Sequence, residues 1–206
     1  MARPARFSNK QILDAALGRI AADGPAAATI SAIAADIGAP TGSLYHRFSS
    51  RDVLIATLWL EVVEHFQAGF LAALDHPDPA EGGRRALGFS LRWCREHPLE
   101  ARLLLLHRRE DLLAQGFPAE LRGRARRLAQ RADGGIRDYT KRRCGQASAA
   151  TLRRVRFALI DIPFAALRRD LEAGSLPPRD LDELVLAAYE AVFASPRSAT
   201  SAVRSK

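Results

Sequence analysis

The chain has 206 residues, of which 48% are hydrophobic and 26% charged, and its net charge is +8. These values are ordinary for a soluble globular protein with one or two domains. The longest apolar runs, residues 53–60 and 103–106, are too short to span a bilayer. Because no apolar signal region follows the N-terminus and Cys94 and Cys144 have no metal spacing, we expect a cytoplasmic protein with reduced thiols.

The first predicted helix has one apolar face between residues 12 and 20 and ends at Asp23-Gly24-Pro25. A second, short helix is predicted from the helical spacing of apolar residues between Ile30 and Ile37. Thr29 precedes it and can act as its N-cap, because the hydroxyl can accept a hydrogen bond from a free backbone N–H. Gly38 suits a left-handed C-cap, and Pro40 can open the next helix.

The third predicted helix has an inward and an outward side. Leu44 and Phe48 are predicted to face the core. The outward side is predicted to carry Thr41, Ser43, His46 and Arg47. A helix-turn-helix places its second helix in the major groove with the N-terminal residues near the bases. Spacing alone leaves open a second interpretation, in which the two helices simply pack against each other.

The residue types in this stretch resemble the N-terminal domain of the TetR family of bacterial transcriptional repressors. The resemblance covers residues 8–58 and is most specific at residues 42–48, GSLYHRF, followed by Ser50-Arg51-Asp52. It implies that residues of the third helix face the operator in the major groove, namely Thr41, Gly42, Ser43 and His46. It also implies that phosphates are bound by Thr29, Tyr45 and Arg51.

One residue departs from the family pattern. Pro40 stands where many members carry a hydroxyl that caps the recognition helix. Thr41 then either takes over the capping role or stays free to contact a base, and the sequence leaves both open.

Most of the positive charge lies outside this motif. Residues 1–51 have a net charge of +3, residues 52–83 of −6 and residues 84–143 of +9. The arginine-rich run Arg122–Arg131 is interpreted first as a solvated helix face. The alternatives are a contact with the acidic helix that precedes residue 81 and a second phosphate-binding surface. Arg3 and Arg6 either contact DNA from an N-terminal arm or form a basic tail.

After residue 50 the pattern stays helical to near the C-terminus, and no segment alternates with the period of a strand. We therefore predict an all-α fold of about nine helices. Its parts are a helix-turn-helix DNA-binding domain (1–51), a helical effector-binding and dimerisation domain (52–196) and a disordered tail (197–206). The resemblance implies a ligand cavity between the middle helices. Its candidate lining residues, each of which can instead be plain core, are Phe66, Phe89, Trp93, Leu103, His107 and Phe164.

The last two predicted helices, at about 151–173 and 181–193, carry more apolar surface than one small bundle can bury. Pairing with a second copy would bury this surface in an isologous two-fold interface, and the resemblance implies the same four-helix arrangement. Such a dimer would present its reading helices to half-sites about 34 Å apart. Pro163 is predicted to kink the first of these helices. Asp161 is interpreted first as facing outward and pairing with Arg154, Arg168 or Arg169, and the alternative is that it faces the cavity and selects a cationic or hydroxyl-bearing ligand.

These observations predict a homodimeric repressor that binds a double-stranded DNA operator and is released by a small-molecule effector of unknown identity. We expect no catalytic residue, no metal and no cofactor, because no enzyme motif is present and the five histidines show no metal spacing. Two alternatives remain. One is a helical enzyme that acts on a small molecule in the cavity, and the other is a DNA-binding module without an effector.

Overall fold

The computed structural model describes residues 7–107, 112–113 and 116–194, and all regular structure in these ranges is helical. The helices are α1 (Asn9–Asp23), α2 (Ile30–Asp36), α3 (Thr41–Tyr45), α4 (Arg51–Leu74), α5 (Pro79–Glu96), α6 (Pro98–Leu106), α7 (Ala119–Cys144), α8 (Ala149–Arg156), α9 (Ile162–Glu172) and α10 (Leu181–Phe193). Helices α8 and α9 are joined through a π-helical turn, Phe157–Asp161, without a break. The predicted all-α fold is confirmed.

Helix α1 begins with a capping box that the sequence analysis did not identify. The Ser8 hydroxyl accepts from the Gln11 backbone N–H at 3.1 Å, and the Gln11 side chain accepts from the Ser8 N–H at 2.8 Å. Two N–H groups at the helix start are thereby satisfied. The predicted apolar face of the helix is buried, and its members are Ile12, Leu13, Ala16, Leu17 and Ile20.

Helix α4 is the central element of the fold. The Ser50 hydroxyl caps its N-terminus by accepting from the Val53 N–H at 3.2 Å. The helix packs against α1, α5, α6 and α7, and its buried residues belong to one hydrophobic core that continues from the N-terminal helices into the rest of the chain. By length and composition it could also cross a membrane. That is weak evidence, since the packing of α4 on four other helices accounts for its apolar composition.

Helices α5 to α7 follow the predicted order with changed ends. Pro98 begins α6, which ends at Leu106 rather than near residue 114. Residues 108–111 and 114–115 lie outside the described residues. Helix α7 begins at Ala119 and ends at Cys144, where Gly145 forms a left-handed C-cap with φ of 77°.

The irregularity predicted at Pro163 lies one turn earlier. Phe157–Asp161 forms the π-helical turn, and Pro163 is buried directly after it in α9. Asp161 is exposed, as predicted. The predicted pairing is wrong, since among the described residues no arginine forms an ion pair with Asp161, and Arg168 binds Glu172 instead, at 2.8 Å.

Two predictions on the chain ends lie outside the described residues. Arg3 and Arg6 precede the first of these residues, and the predicted tail at 197–206 follows the last.

The two cysteines differ in environment, which gives a first testable prediction. Cys94 is buried in α5, and this burial raises the pKa of its thiol to about 12. Since the thiolate is the reactive form, we expect Cys94 in a Cys144→Ser variant to react with a chromogenic disulfide only after unfolding in denaturant. Rapid reaction of the native variant would contradict the buried position.

Candidate nucleic-acid interface

Helix α2 and the turn after it have the predicted local geometry. The Thr29 hydroxyl accepts from the Ala32 backbone N–H at 3.2 Å, so the predicted N-cap is confirmed. Gly38 has φ of 65°, a left-handed conformation that favours glycine, at the turn between α2 and α3. The Ala39 N–H donates back to the Ala34 carbonyl at 2.9 Å and closes the turn.

The start of α3 bears on whether Thr41 caps this helix or stays free to contact a base. Pro40 occupies the N-cap position with extended backbone, and no side chain caps the helix. The Ser43 hydroxyl donates to the Pro40 carbonyl at 2.7 Å. The Thr41 hydroxyl makes no hydrogen bond within the described residues, so it is free for a ligand.

Two buried side chains fix the orientation of α3. Leu44 is completely buried and Phe48 nearly so, as predicted, and both belong to the core that α1 and α2 also form. The opposite side of the segment is open. Tyr45 retains 54% of its accessible surface, and His46 is exposed. The ring of Tyr45 therefore lies outside the core.

Arg51 has intramolecular partners that the sequence did not indicate. Its Nε donates to the Ala28 carbonyl at 2.9 Å, and its second terminal nitrogen donates to the Pro25 carbonyl at 2.6 Å. Both carbonyls lie in the connection between α1 and α2, which contains the 3₁₀ turn Pro25–Ala27. Arg51 thus fastens the start of α4 to the chain that leads into α2.

Further ion pairs and hydrogen bonds hold the three short helices together. Arg19 of α1 binds the carboxylate of Asp36 in α2 through two nitrogens, at 2.5 and 2.6 Å. The hydrogen bond from Arg19 holds the pKa of Asp36 below its usual range. Arg47 donates to the side chain of Asn9 at 2.6 Å. The partners of Arg19 and Arg47 lie 17 and 38 residues away in the sequence, so no local pattern identified these pairs.

The arginine-rich run lies along α7 and has a mixed role. Arg124 forms an ion pair with Glu64 of α4 at 2.6 Å, which supports the predicted contact with the acidic helix for this residue. Arg122 donates to the Phe117 carbonyl. The side chains of Arg126, Arg127 and Arg131 are exposed, as the solvated-face interpretation predicts.

The comparison with known protein families agrees with this geometry. Residues 12–58 match the family model described as bacterial regulatory proteins, tetR family, and this range spans α1 to the first turns of α4. The N-terminal segment of the chain is therefore similar to the DNA-binding domain of this family. A comparison with curated protein sequences gave no match.

Solved structures of other regulators share the fold over nearly the whole chain. The tetR-family transcriptional regulator PfmR from Thermus thermophilus is 18% identical with a TM-score of 0.70, and the match covers 94% of this chain and 99% of that one. The fatty acid degradation regulator FadR from Bacillus halodurans is 16% identical with a TM-score of 0.67, over 92% and 100%. FadR from Bacillus subtilis in complex with stearoyl-CoA is also 16% identical with a TM-score of 0.67, over 91% and 98%.

Several of the predicted pocket residues meet in one aromatic cluster. The Phe66 ring contacts the rings of Phe89, Trp93 and Phe164, with centroid distances between 5.1 and 6.1 Å. Trp93 is buried, and its indole Nε1 has no hydrogen-bond partner among the described residues. Leu103 is also buried. His107 is half-buried at the end of α6.

The structure also brings together two histidines that linear spacing did not connect. The rings of His65 and His97 lie with 4.8 Å between their centroids. Glu100 lies beside them, 3.6 Å from His97 Nδ1.

Proposed function

We propose that this chain is a homodimeric transcriptional repressor that binds a double-stranded DNA operator through α3 and is released by a small-molecule effector. The observation that carries the proposal is that α3 has one buried side and one exposed polar side. Leu44 and Phe48 anchor it in the core. Tyr45 and His46 are exposed and Thr41 is half-buried, and the polar groups of these three have no hydrogen-bond partner among the described residues. A short helix presented in this way suits a major groove.

We propose that different residues contact the bases and the phosphates. Base edges are contacted by Thr41, Gly42, Ser43 and His46. Phosphates are contacted by Thr29, Tyr45 and Arg51. Phosphate contacts set the position on DNA, and base contacts set the preferred sequence. Arg51 already binds two carbonyls, and its other terminal nitrogen lies 3.5 Å from the carboxylate of Asp52. We therefore propose that it acts mainly by holding the α1–α2 connection and adds a phosphate contact through the N–H groups of that nitrogen.

The first test separates these roles on an operator obtained by selection from random duplex DNA. Tyr45→Phe removes one phosphate hydrogen bond, and we expect affinity to fall by about threefold to tenfold for all sequences alike. Thr41→Ala should instead change the preferred base at one position of each half-site. Both are measured by gel shift or fluorescence anisotropy at fixed salt.

A matched control tests whether net charge alone explains binding. Arg137 is an exposed arginine of α7 beside the far end of α4, because Gly135 packs against Leu71 there. Twenty residues of helix separate Leu71 from Arg51, a rise of about 30 Å, which exceeds the screening length at physiological salt. We expect Arg137→Ala to keep operator affinity. Equal affinity of wild type, Tyr45→Phe and Thr41→Ala would refute the proposed interface.

The proposed effector site lies at the aromatic cluster between α4, α5 and α9. Apolar rings dominate this cluster, and the unpartnered Trp93 indole N–H is a donor that an acceptor on a ligand would satisfy. We therefore propose a largely apolar effector with one hydrogen-bond acceptor. FadR from Bacillus subtilis, a protein of the same fold, has been solved in complex with stearoyl-CoA, whose acyl chain is apolar.

Release would work through α4, which runs from the α3 region to the aromatic cluster. A ligand shifts the equilibrium only if it binds the DNA-competent and released states differently, and this coupling is typically about 1–3 kcal/mol. The domain division proposed with this mechanism assigns residues 1–51 to the DNA-binding part and 52–196 to the effector-binding and dimerisation part. The continuous core and the family match to residue 58 support a role for the first turns of α4 in both parts.

A further inference from the structure

His65, His97 and Glu100 form a cluster outside the surfaces assigned above. His65 lies on α4, His97 lies between α5 and α6, and Glu100 lies in the first turn of α6. Their potential metal-ligating atoms all lie within 4.8 Å of one another. Within the cluster, His97 Nδ1 and Glu100 Oε1 are 3.6 Å apart.

Local structure explains why these groups converge. Helix α5 ends at Glu96 and Pro98 begins α6, so the chain turns sharply around His97. Glu100 follows three residues later on the same side of the new helix. The His97 ring packs on the buried Trp93 at 5.4 Å between centroids and against His65 at 4.8 Å. These contacts hold the imidazole of His97 in place while His65 remains exposed and adjustable.

The surroundings carry negative charge. The cluster opens into a cavity of about 630 Å³ whose charged lining residues are Lys10, Asp14, Glu61 and Glu100. The ammonium of Lys10 is bound by Asp14 at 2.6 Å. The ammonium of Lys10 also interacts with the carboxylates of Glu100 and Glu61, but the lining has three carboxylates and one ammonium, so the cavity favours a cation.

We propose that His65, His97 and Glu100 bind a divalent transition-metal ion of the Zn²⁺ or Co²⁺ class. Two imidazole nitrogens and one carboxylate oxygen are ligands that these ions accept, whereas Mg²⁺ and Ca²⁺ prefer oxygen alone. Bonds of about 2.1 Å in a tetrahedral site put the ligand atoms about 3.4 Å apart. The pair at 3.6 Å already has this spacing, and rotation of the exposed His65 side chain supplies the rest. This site departs from the sequence prediction of no metal, which rested on linear spacing.

The fourth coordination position of the proposed ion would face the cavity. Glu61 precedes His65 by one turn of α4 and lines the same cavity, so its carboxylate or a water molecule can complete the coordination. The opposite wall is α1, through Lys10 and Asp14. A bound ion would therefore brace α4 and α6 at the place where the N-terminal helices contact them.

The test is a titration of the untagged full chain with Co²⁺, followed by its visible absorption, and with Zn²⁺ by calorimetry. We expect one ion per chain. Loss of even an outer-shell group weakens metal binding by about tenfold or more, so His65→Ala, His97→Ala and Glu100→Gln should each lose at least that much. His76→Ala is the matched control, because His76 lies in the α4–α5 connection outside the cluster, and it should bind as wild type does.

His65→Ala keeps the test independent of folding, because the side chain is exposed and the circular dichroism spectrum of the variant should match that of wild type. Two results would overturn the proposal. One is a wild-type chain that binds no stoichiometric Co²⁺ or Zn²⁺. The other is binding of equal strength in wild type and all three cluster variants. The titration contains no DNA, so its outcome is independent of the proposed repressor function.

Discussion

A Leu184→Glu variant is expected to be monomeric and to lose specific operator binding while it keeps its fold. Leu184 retains 67% of its accessible surface in α10, and Leu186 on the same helix and Phe157 on the π-helical turn are also exposed. The apolar residues of these helices that contact the core are already buried, among them Val155, Leu159, Val185 and Tyr189. What remains exposed is the surface that the proposed dimer would cover.

The expected magnitude follows from the two-fold symmetry of the proposed interface. Burial of one leucine side chain stabilises an interface by about 1.5–3 kcal/mol, and an isologous interface contains each residue twice. Loss of both leucines therefore costs about 3–6 kcal/mol, which weakens dimerisation by about 10²–10⁴. A monomer occupies one half-site, so we expect operator affinity to approach the non-specific level, about 10³-fold weaker or more.

Analytical ultracentrifugation and operator titration measure the two effects on the same sample. Leu99→Glu is the control, because Leu99 is an exposed leucine of α6, outside the proposed interface. We expect this variant to behave as wild type in both measurements. A Leu184→Glu chain that sediments as a dimer, or that binds the operator with wild-type affinity, would refute the proposed interface.

Gly83→Ala is expected to destabilise the fold more than any other glycine substitution in α5. Gly83 is buried, and a Cβ at this position would overlap the hydroxyl of Tyr189 and lie 2.5 Å from that of Tyr139. Both tyrosines are completely buried, and their hydroxyl oxygens are 2.9 Å apart in a hydrogen bond. Neither ring can move away without breaking that bond. We expect a loss of about 1–3 kcal/mol in the free energy of unfolding.

The same helix contains the matched control. A Cβ added to Gly88 would have no heavy atom within 4 Å beyond its own helix backbone and chain neighbours, so the methyl group meets open space. Because glycine is a poorer helix former than alanine, Gly88→Ala should stabilise the fold by up to about 1 kcal/mol. Urea unfolding followed by circular dichroism, at fixed protein concentration, measures both variants. A Gly83→Ala chain as stable as wild type would contradict the packing of α5 on α7 and α10.

The local features of the DNA-binding segment could be predicted from the sequence because short-range contacts determine them. The cap at Thr29 involves a group three residues away, and the glycine turn depends on the conformation of Gly38 itself. The inward side of α3 follows from the helical spacing of Leu44 and Phe48. For the same reason the all-α fold and the approximate helix order were predictable, while the ends of α6 and the position of the π-helical turn were not.

The tertiary structure alone decided which distant polar groups meet. Arg51, assigned to phosphate from its motif, has carbonyl partners 23 and 26 residues away. The approach of His65 to His97 and Glu100 depends on how α4 packs beside the α5–α6 turn. Periodicity gives the face on which a residue lies, but crossing angles and contacts between helices set its neighbours. The sequence by itself therefore determined the all-α fold, the cap at Thr29 and the turn at Gly38, because these depend on short-range contacts, and packing decided the partners of the charged and titratable side chains.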